Sequence, residues 1–156
     1  MLNKRPPHFF IYTIIQYCFK NRFVKKAILL FVMNVKIDTK EKFTVITLQE
    51  TVLAENMAAE LYNLLFGYLQ KDIPHIVLNM QQVQNSCITI NDTLATMQQT
   101  FYENNYSFLI CNLQPAVETL LDEEALLEVM NVTPTESEAW DIVQMEEIER
   151  EILGDE

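Results

Sequence analysis

Short apolar runs alternate with longer amphipathic segments from about residue 34 to the C-terminus. Four of the runs have the length of strands and lie between polar or turn-forming residues, namely residues 34–38, 42–49, 75–80 and 106–111. Only three residues separate the first two runs, which predicts a hairpin. The other two runs are apolar through their centres, so we expect strands that are buried on both faces.

Helical spacing is found in the segments between these runs. Apolar residues recur every three or four positions over residues 54–71 and again over residues 87–104, which predicts two helices that each bury one face. Pro74 follows the first of them, and the residue before a proline disfavours helical backbone angles. That helix is therefore expected to end before Pro74.

Three further elements complete the order of the predicted fold. Pro115 suits the first turn of a short helix over residues 116–121, which we expect to extend through residues 122–130. Val132 is then a brief final strand, and a last helix follows it. Strands that alternate with helices imply right-handed crossovers. The sequence therefore predicts an α/β fold with a mixed, mostly parallel sheet of four or five strands and about four helices.

The last helix carries two overlapping start signals. Thr133 with Glu136, and Thr135 with Glu138, both have the spacing of a capping box. Six apolar residues are assigned to its buried side: Ala139, Ile142, Val143, Met145, Ile148 and Ile152. Four acidic residues are assigned to its solvated side: Glu146, Glu147, Glu149 and Glu151.

Charge divides the chain into two parts. Residues 1–32 hold six of the 11 Lys and Arg residues and no acid, whereas all 22 acids lie from Met33 onward. One compact domain rarely combines such different compositions, so we place a boundary between Val32 and Met33. No apolar run before this boundary reaches the roughly 20 residues that cross a bilayer. The leader is either translated upstream sequence or a membrane or targeting segment, and the sequence leaves both open.

Composition excludes several classes of function for residues 33–156. The acidic charge argues against nucleic acid binding, which needs clustered Lys and Arg. The whole chain has two glycines, too few for a loop that cradles phosphate. Its three cysteines are widely spaced and form no C-x-x-C motif, which is typical of reduced thiols in a cytoplasmic protein. We expect no cofactor and no metal site.

Four stretches, taken in order, carry a resemblance to a known family. They are the opening strand at residues 43–48, a central strand and turn at 76–83, a strand entering a helix at 108–117, and a closing strand-to-helix segment at 133–143. Together they resemble the STAS domain of anti-sigma factor antagonists and of the cytoplasmic tails of sulfate transporters. The resemblance implies a non-enzymatic protein-interaction module of bacterial transcription regulation.

The family's switch is an Asp-Ser-Ser/Thr-Gly motif at the start of the second helix, where a partner kinase phosphorylates a hydroxyl. Without a gap, Cys87 takes the Asp position, Ile88 the first hydroxyl position, Thr89 the second and Ile90 the Gly position. A shift of two residues would instead place Ser86 at the first hydroxyl position. Helix phase favours the ungapped register, which buries Asn91, Leu94 and Phe101, two of them apolar. The shift would instead bury Thr89, Asp92 and Gln99, none of them apolar, and Asp92 would be costly to bury without a partner. The usual acceptor is then missing, and Thr89 and Ser86 are the candidate acceptors. The alternative role of both residues is to cap the helix start.

The resemblance places partner docking on the loop and helix around residues 83–93. The predicted docking residues are Val83, Gln84, Asn85, Cys87, Ile88, Ile90 and Thr93. The implied partner is a kinase-like anti-sigma factor or another regulatory protein. A membrane-associated accessory STAS protein of a transporter or lipid-trafficking assembly is the alternative. A small enzyme with Cys87 as nucleophile is disfavoured, because no base other than His75 is evident.

Overall fold

The computed structural model describes residues 33–154. The leader, residues 1–32, lies outside them, so its predicted roles stay predictions. The described part contains seven strands: β1 (Val35–Thr39), β2 (Thr44–Leu48), β3 (Val52–Leu53), β4 (Ile76–Asn79), β5 (Asn85–Ser86), β6 (Phe108–Cys111) and β7 (Val132–Thr133). It contains four α-helices: α1 (Ala58–Phe66), α2 (Ile88–Glu103), α3 (Pro115–Glu123) and α4 (Glu136–Gly154). Short 3₁₀ turns at Glu55–Met57 and Gly67–Gln70 flank α1.

The central sheet has five strands in the order β1-β2-β4-β6-β7. The strands β1 and β2 form the predicted antiparallel hairpin, and the other three pairs of neighbouring strands are parallel. A separate two-stranded parallel sheet joins β3 to β5. The predicted α/β fold with a mixed, mostly parallel sheet and four helices is confirmed.

Both faces of the central sheet are covered by helices. In β4, Val77 belongs to one apolar cluster and its neighbours Ile76 and Leu78 to the other, as the two-residue side-chain period of a strand requires. The larger cluster includes residues of α1, α2 and α3, and the smaller one includes Ala139 and Val143 of α4. The prediction that β4 is buried on both faces is confirmed.

The predicted helical extension over residues 122–130 is wrong. Helix α3 ends at Glu123, and Ala125 takes the left-handed backbone conformation with φ 54°. The amide of Leu126 donates to the carbonyl of Leu121 at 2.9 Å, which satisfies one of the last carbonyls of the helix. The chain turns here to reach β7. Helical spacing does not register this turn, and the predicted helix was therefore too long.

One of the two predicted caps starts α4. The amide of Glu138 donates to Thr135 Oγ1 at 3.2 Å, and the same hydroxyl donates to Glu138 Oε1 at 3.2 Å. Thr133 is buried, and its hydroxyl donates to the Thr135 carbonyl instead. The helix therefore begins after Thr135, and the hydroxyl of Thr133 holds the turn before it.

The predicted buried side of α4 is wrong in its second half. Ala139 and Val143 are buried, but Met145, Ile148 and Ile152 are 60%, 55% and 65% exposed. The predicted solvated side is also only partly correct, since Glu146 and Glu147 are half-buried and bond to the body of the domain. No helix between residues 33 and 154 is both long enough and apolar enough to cross a bilayer.

Candidate functional site

The loop between β4 and α2 is held in place by backbone hydrogen bonds. The amides of Gln84 and Asn85 both donate to the carbonyl of Thr51, at 2.7 and 3.3 Å. Val83 is fully buried, and its amide donates to the Met80 carbonyl at 3.0 Å. Because the pairing of β5 with β3 continues these bonds, the loop presents its exposed side chains from a fixed backbone.

The start of α2 has no side-chain cap. The capping position is Cys87, whose backbone is extended with φ −102° and ψ 164°, and its side chain makes no capping hydrogen bond. The alternative role of Ser86 and Thr89 as helix caps is therefore wrong. The first turn of α2 therefore has no side-chain cap for its free amides, and a helix N-terminus of this kind carries a partial positive charge.

A chain of polar side chains lies beneath this helix start. Ser86 Oγ donates to Asn91 Oδ1 at 2.7 Å, and Asn91 Nδ2 donates to Glu124 Oε2 at 2.8 Å. Asn91 is fully buried, which a polar amide tolerates only when it is hydrogen-bonded. These two hydrogen bonds connect β5, α2 and the residue that follows α3. The one sequence signal for them is a polar residue at a helix position that otherwise carries apolar residues.

Two side chains of the first turn of α2 project into solvent. Ile88 is 66% exposed, and Thr89 beside it is also exposed. Thr93 follows one turn later, is half-buried, and donates its hydroxyl to the Thr89 carbonyl at 2.7 Å. Ile88 is therefore a large apolar side chain that the described part of the chain leaves in contact with water.

The phase of α2 agrees with the ungapped register. Leu94 and Phe101 are fully buried, as that register requires. Thr89, Asp92 and Gln99, which the shifted register would bury, are all exposed. Burying Asp92 without a partner would cost several kcal/mol, so the helix adopts the phase that leaves it in water.

The structure separates the predicted docking residues by exposure. Val83 and Ile90 are fully buried and therefore support the surface from below, and the candidate acceptor Ser86 is buried as well. Three predicted docking residues are exposed, namely Gln84, Asn85 and Ile88, and the candidate acceptor Thr89 is exposed as well. Cys87 and Thr93 are half-buried.

Sequence reasoning missed one residue beside this surface. Val52 of β3 pairs with Asn85 of β5 and is 51% exposed. A strand of two residues has no detectable alternation, so nothing in the pattern placed Val52 beside the loop. It adds a second exposed apolar side chain to the same edge. We call Val52, Gln84, Asn85, Ile88 and Thr89 the α2 surface.

The remaining candidate chemical groups are distant from the α2 surface or unreactive. Burial raises the pKa of the Cys111 thiol to about 12, with a smaller contribution from Glu136. His75 directly precedes β4, whereas the α2 surface follows it, so the two lie toward opposite ends of that strand. No group of three or more His, Cys, Asp or Glu residues that could hold a metal ion occurs between residues 33 and 154.

Burial also lowers the pKa of His75, and the nearby positive charge of Arg150 lowers it further. His75 Nδ1 accepts a hydrogen bond from the Ser107 amide at 3.0 Å. This bond requires the neutral ring with its proton on Nε2. His75 therefore has a structural role at the start of β4 and cannot act as a base toward Cys87.

Comparisons with solved structures show where this fold occurs. An anti-sigma factor antagonist of Mycobacterium paratuberculosis is 14% identical, with a TM-score of 0.64 over 72% of this chain and 95% of that one. A Thermotoga maritima protein described as an anti-sigma factor antagonist is 18% identical, with a TM-score of 0.62 over 70% and 94%. The murine anion transporter Slc26a9 is 14% identical, with a TM-score of 0.59 over 79% of this chain and 24% of the transporter.

These identities are low, so the likeness to the solved structures shows the fold alone. A search of the curated proteins finds no match to this chain. The sequence model described as STAS domain matches residues 33–139, which is more than half of the chain and includes β1 through the first residues of α4. The chain belongs to the STAS domain family.

Proposed function

We propose that this chain is a non-enzymatic docking module that binds a regulatory protein through the α2 surface. The observation that carries the proposal is Ile88, which is 66% exposed at the uncapped start of α2. A partner that covers Ile88 removes a large apolar side chain from water, which contributes roughly 1.5–3 kcal/mol when burial is complete. The fixed backbone below it lowers the entropy lost on binding.

The polar residues around Ile88 suit the rim of a docking site. Gln84 and Asn85 are exposed and can form hydrogen bonds to a partner, and Val52 extends the apolar area. Interfaces of this kind combine a small apolar centre with a polar rim. The similarity in fold to anti-sigma factor antagonists supports a partner of the anti-sigma factor type, or another regulatory protein of the bacterial cytoplasm.

In this proposal the chain is not phosphorylated at the family's usual position. In the ungapped register that position holds Ile88, which has no hydroxyl. Thr89 is the accessible candidate, whereas the hydroxyl of Ser86 is buried and already donates to Asn91. A kinase would reach Ser86 only after the helix start had opened, so docking depends on contact rather than on a phosphate switch.

The proposal is tested by photo-crosslinking from the α2 surface. A photoreactive phenylalanine replaces Ile88 in the tagged full chain, which is expressed in bacteria and irradiated. A matched chain carries the same residue at Val129, which is 59% exposed and lies outside the α2 surface. We expect a protein adduct from position 88 that the Val129 chain does not give. Equal adducts from both chains, or none from either, would contradict the proposal.

A parallel preparation of the unsubstituted chain tests the role of phosphate. Intact mass of the chain without crosslinker is measured after purification under phosphatase inhibition. We expect the unmodified mass together with the adduct from position 88. Phosphate on Thr89 would show a switch moved by one residue, and phosphate on Ser86 would overturn the ungapped register.

The fold similarity to the murine anion transporter Slc26a9 supports a second candidate function. A membrane-associated accessory STAS protein would use the basic leader, residues 1–32, to reach the membrane, with the docking domain beginning at Met33. In that case the full chain is recovered with membranes, and deletion of residues 2–32 abolishes the recovery. Membrane recovery that survives the deletion would exclude the leader as the anchor.

A further inference from the structure

The second half of α4 has an apolar stripe that the domain leaves uncovered. Its members are Met145, Ile148 and Ile152, which are 60%, 55% and 65% exposed. They follow one another at spacings of three and four residues, so they lie on one side of the helix. Ala139 and Val143, which pack against the sheet, lie on the other side. Helix α4 therefore has two apolar faces, and only one of them is used within residues 33–154.

Acidic side chains flank this stripe. In heptad terms Met145 and Ile152 occupy a positions and Ile148 a d position, which places Glu149 at e and Glu151 at g. Both carboxylates are exposed, and neither is in any of the three ion pairs that residues 33–154 form. Residues at e and g lie beside the seam and select the charge of the partner helix.

The one basic side chain of α4 faces away from the stripe. Arg150 donates to Ser107 Oγ and, at 3.3 Å, to Glu146 Oε2, so it is engaged with the sheet. Lys42 pairs with Glu147 at 2.7 Å on the body of the domain. The apolar stripe is therefore flanked by negative charge alone within α4.

We propose that this stripe docks a basic amphipathic helix of a partner protein, with apolar residues in its seam and Lys or Arg at its flanks. Charge complementarity selects this occupant. A second copy of this chain would present Glu149 and Glu151 again without bases to pair with them. An anionic lipid surface would meet the same repulsion. The stripe is separate from the α2 surface and would hold a different part of the partner or a different protein.

The length of the stripe sets the size of the contact. Seven residue steps separate Met145 from Ile152, which corresponds to about 10 Å along the helix axis. This length matches about two turns of a partner helix, a small interface whose affinity depends on both the apolar seam and the charged flanks. Removing either component should therefore weaken binding strongly.

The experiment uses the full chain and two labelled three-heptad peptides as probes. Both peptides have Leu at a and d, and they carry Lys or Glu at e and g. Fluorescence anisotropy at low salt should show binding of the Lys peptide and not of the Glu peptide. The Ile148→Gln/Ile152→Gln variant should bind the Lys peptide at least about tenfold more weakly, since two apolar side chains leave the contact. The control Val129→Gln removes an equally exposed apolar residue elsewhere and should bind normally.

Charge reversal separates specific docking from general attraction to an acidic protein. The Glu149→Lys/Glu151→Lys variant should reverse the preference and bind the Glu peptide. Lys peptide binding that is unchanged in the Ile148→Gln/Ile152→Gln variant would overturn the proposal, as would the absence of binding. Sedimentation equilibrium provides a further check, because a dimer of the full chain that Ile148→Gln dissociates would assign the stripe to a second copy instead.

Discussion

Ser86 Oγ lies 2.7 Å from Asn91 Oδ1 and donates its proton to it, which makes Ser86 part of the support of the α2 surface. Asn91 in turn donates to Glu124 at 2.8 Å. The loop, the start of α2 and the end of α3 therefore share one buried polar chain, and the orientation of Ile88 depends on it.

Replacing Asn91 by Leu should destabilise the domain, although an apolar side chain normally suits a buried site. The substitution removes two hydrogen bonds and leaves the Ser86 hydroxyl and Glu124 without their partner, which costs about 1–3 kcal/mol of the free energy of unfolding. Urea denaturation of the full chain measures the loss. Thr93→Ala, at a half-buried position of the same helix, is the control and should cost less than about 1 kcal/mol. An Asn91→Leu chain as stable as wild type would contradict the inferred role of this network.

Stability should fall as pH decreases through the ordinary range of histidine. The folded-state pKa of His75 is lowered, chiefly by burial, with Arg150 lowering and Glu147 raising it. The unfolded chain therefore takes up the proton first, and the free energy of unfolding declines until the folded ring is protonated as well. Protonation of Nδ1 also breaks its bond to the Ser107 amide, worth about 1 kcal/mol.

Denaturation curves between about pH 7.5 and 5.5 measure this decline in the full chain. The His75→Asn chain keeps an acceptor near Nδ1 but does not titrate, so its stability should change less over the same interval. His8 is present in both chains and cancels in the comparison. Parallel declines in the two chains would assign the effect to other groups.

Cys111 should be unreactive while the domain is folded. The thiol is fully buried and its pKa is raised to about 12, so only about one molecule in ten thousand is a thiolate at pH 8. In a full chain carrying Cys18→Ser, a disulfide reagent should titrate Cys87 alone, and Cys111 should react only in urea. Rapid reaction of both thiols without urea would show that the buried strand opens easily.

The rate of alkylation of Cys87 tests the hypothesis that this residue is the nucleophile of a small enzyme. Cys87 is half-buried at the start of α2, but His75 lies at the opposite end of β4 and cannot serve as its base. We therefore expect alkylation at neutral pH no faster than for an ordinary exposed thiol. Strong acceleration would reopen the case for Cys87 as a nucleophile.

Apolar spacing predicted the central sheet and α2 because burial there follows a simple period. The run Ile76-Val77-Leu78 is buried on both faces, and Leu94 and Phe101 lie in the core as their spacing indicates. The same rule failed for α4, where Ile148 follows helical spacing on a face that no part of residues 33–154 covers. Spacing shows which residues share a side of a helix, but it does not show which side has a neighbour.

The candidate site was predictable only in part. The helix phase placed Ile88 and Thr89 at the start of α2 on the basis of the buried positions that follow them. Val52 was missed because β3 has two residues, and the role of Asn91 was missed because a buried amide depends on partners far along the chain, such as Glu124. Long-range hydrogen bonds leave no periodic trace in a sequence.

Substitutions at Ile88 should separate docking from folding. Ile88 is 66% exposed and touches little of the domain, so Ile88→Asp should change the free energy of unfolding by no more than about 0.5 kcal/mol. Its effect on binding should be large, because the partner would have to bury a carboxylate where it now covers an apolar side chain. Adduct yield, with the photoreactive residue moved to Asn85, should fall at least about tenfold.

A second substitution tests whether the missing hydroxyl is the reason for the missing switch. Ile88→Ser restores a hydroxyl at the family's position without disturbing the core, and Thr89→Ala in the same chain removes the neighbouring acceptor. If the crosslinked partner is a kinase, incubating the purified partner and ATP with the Ile88→Ser/Thr89→Ala chain should add one phosphate, detectable by intact mass. The Thr89→Ala chain with Ile88 intact should add none. Phosphate on that control chain would show that the acceptor is neither position 88 nor Thr89, which would contradict this prediction.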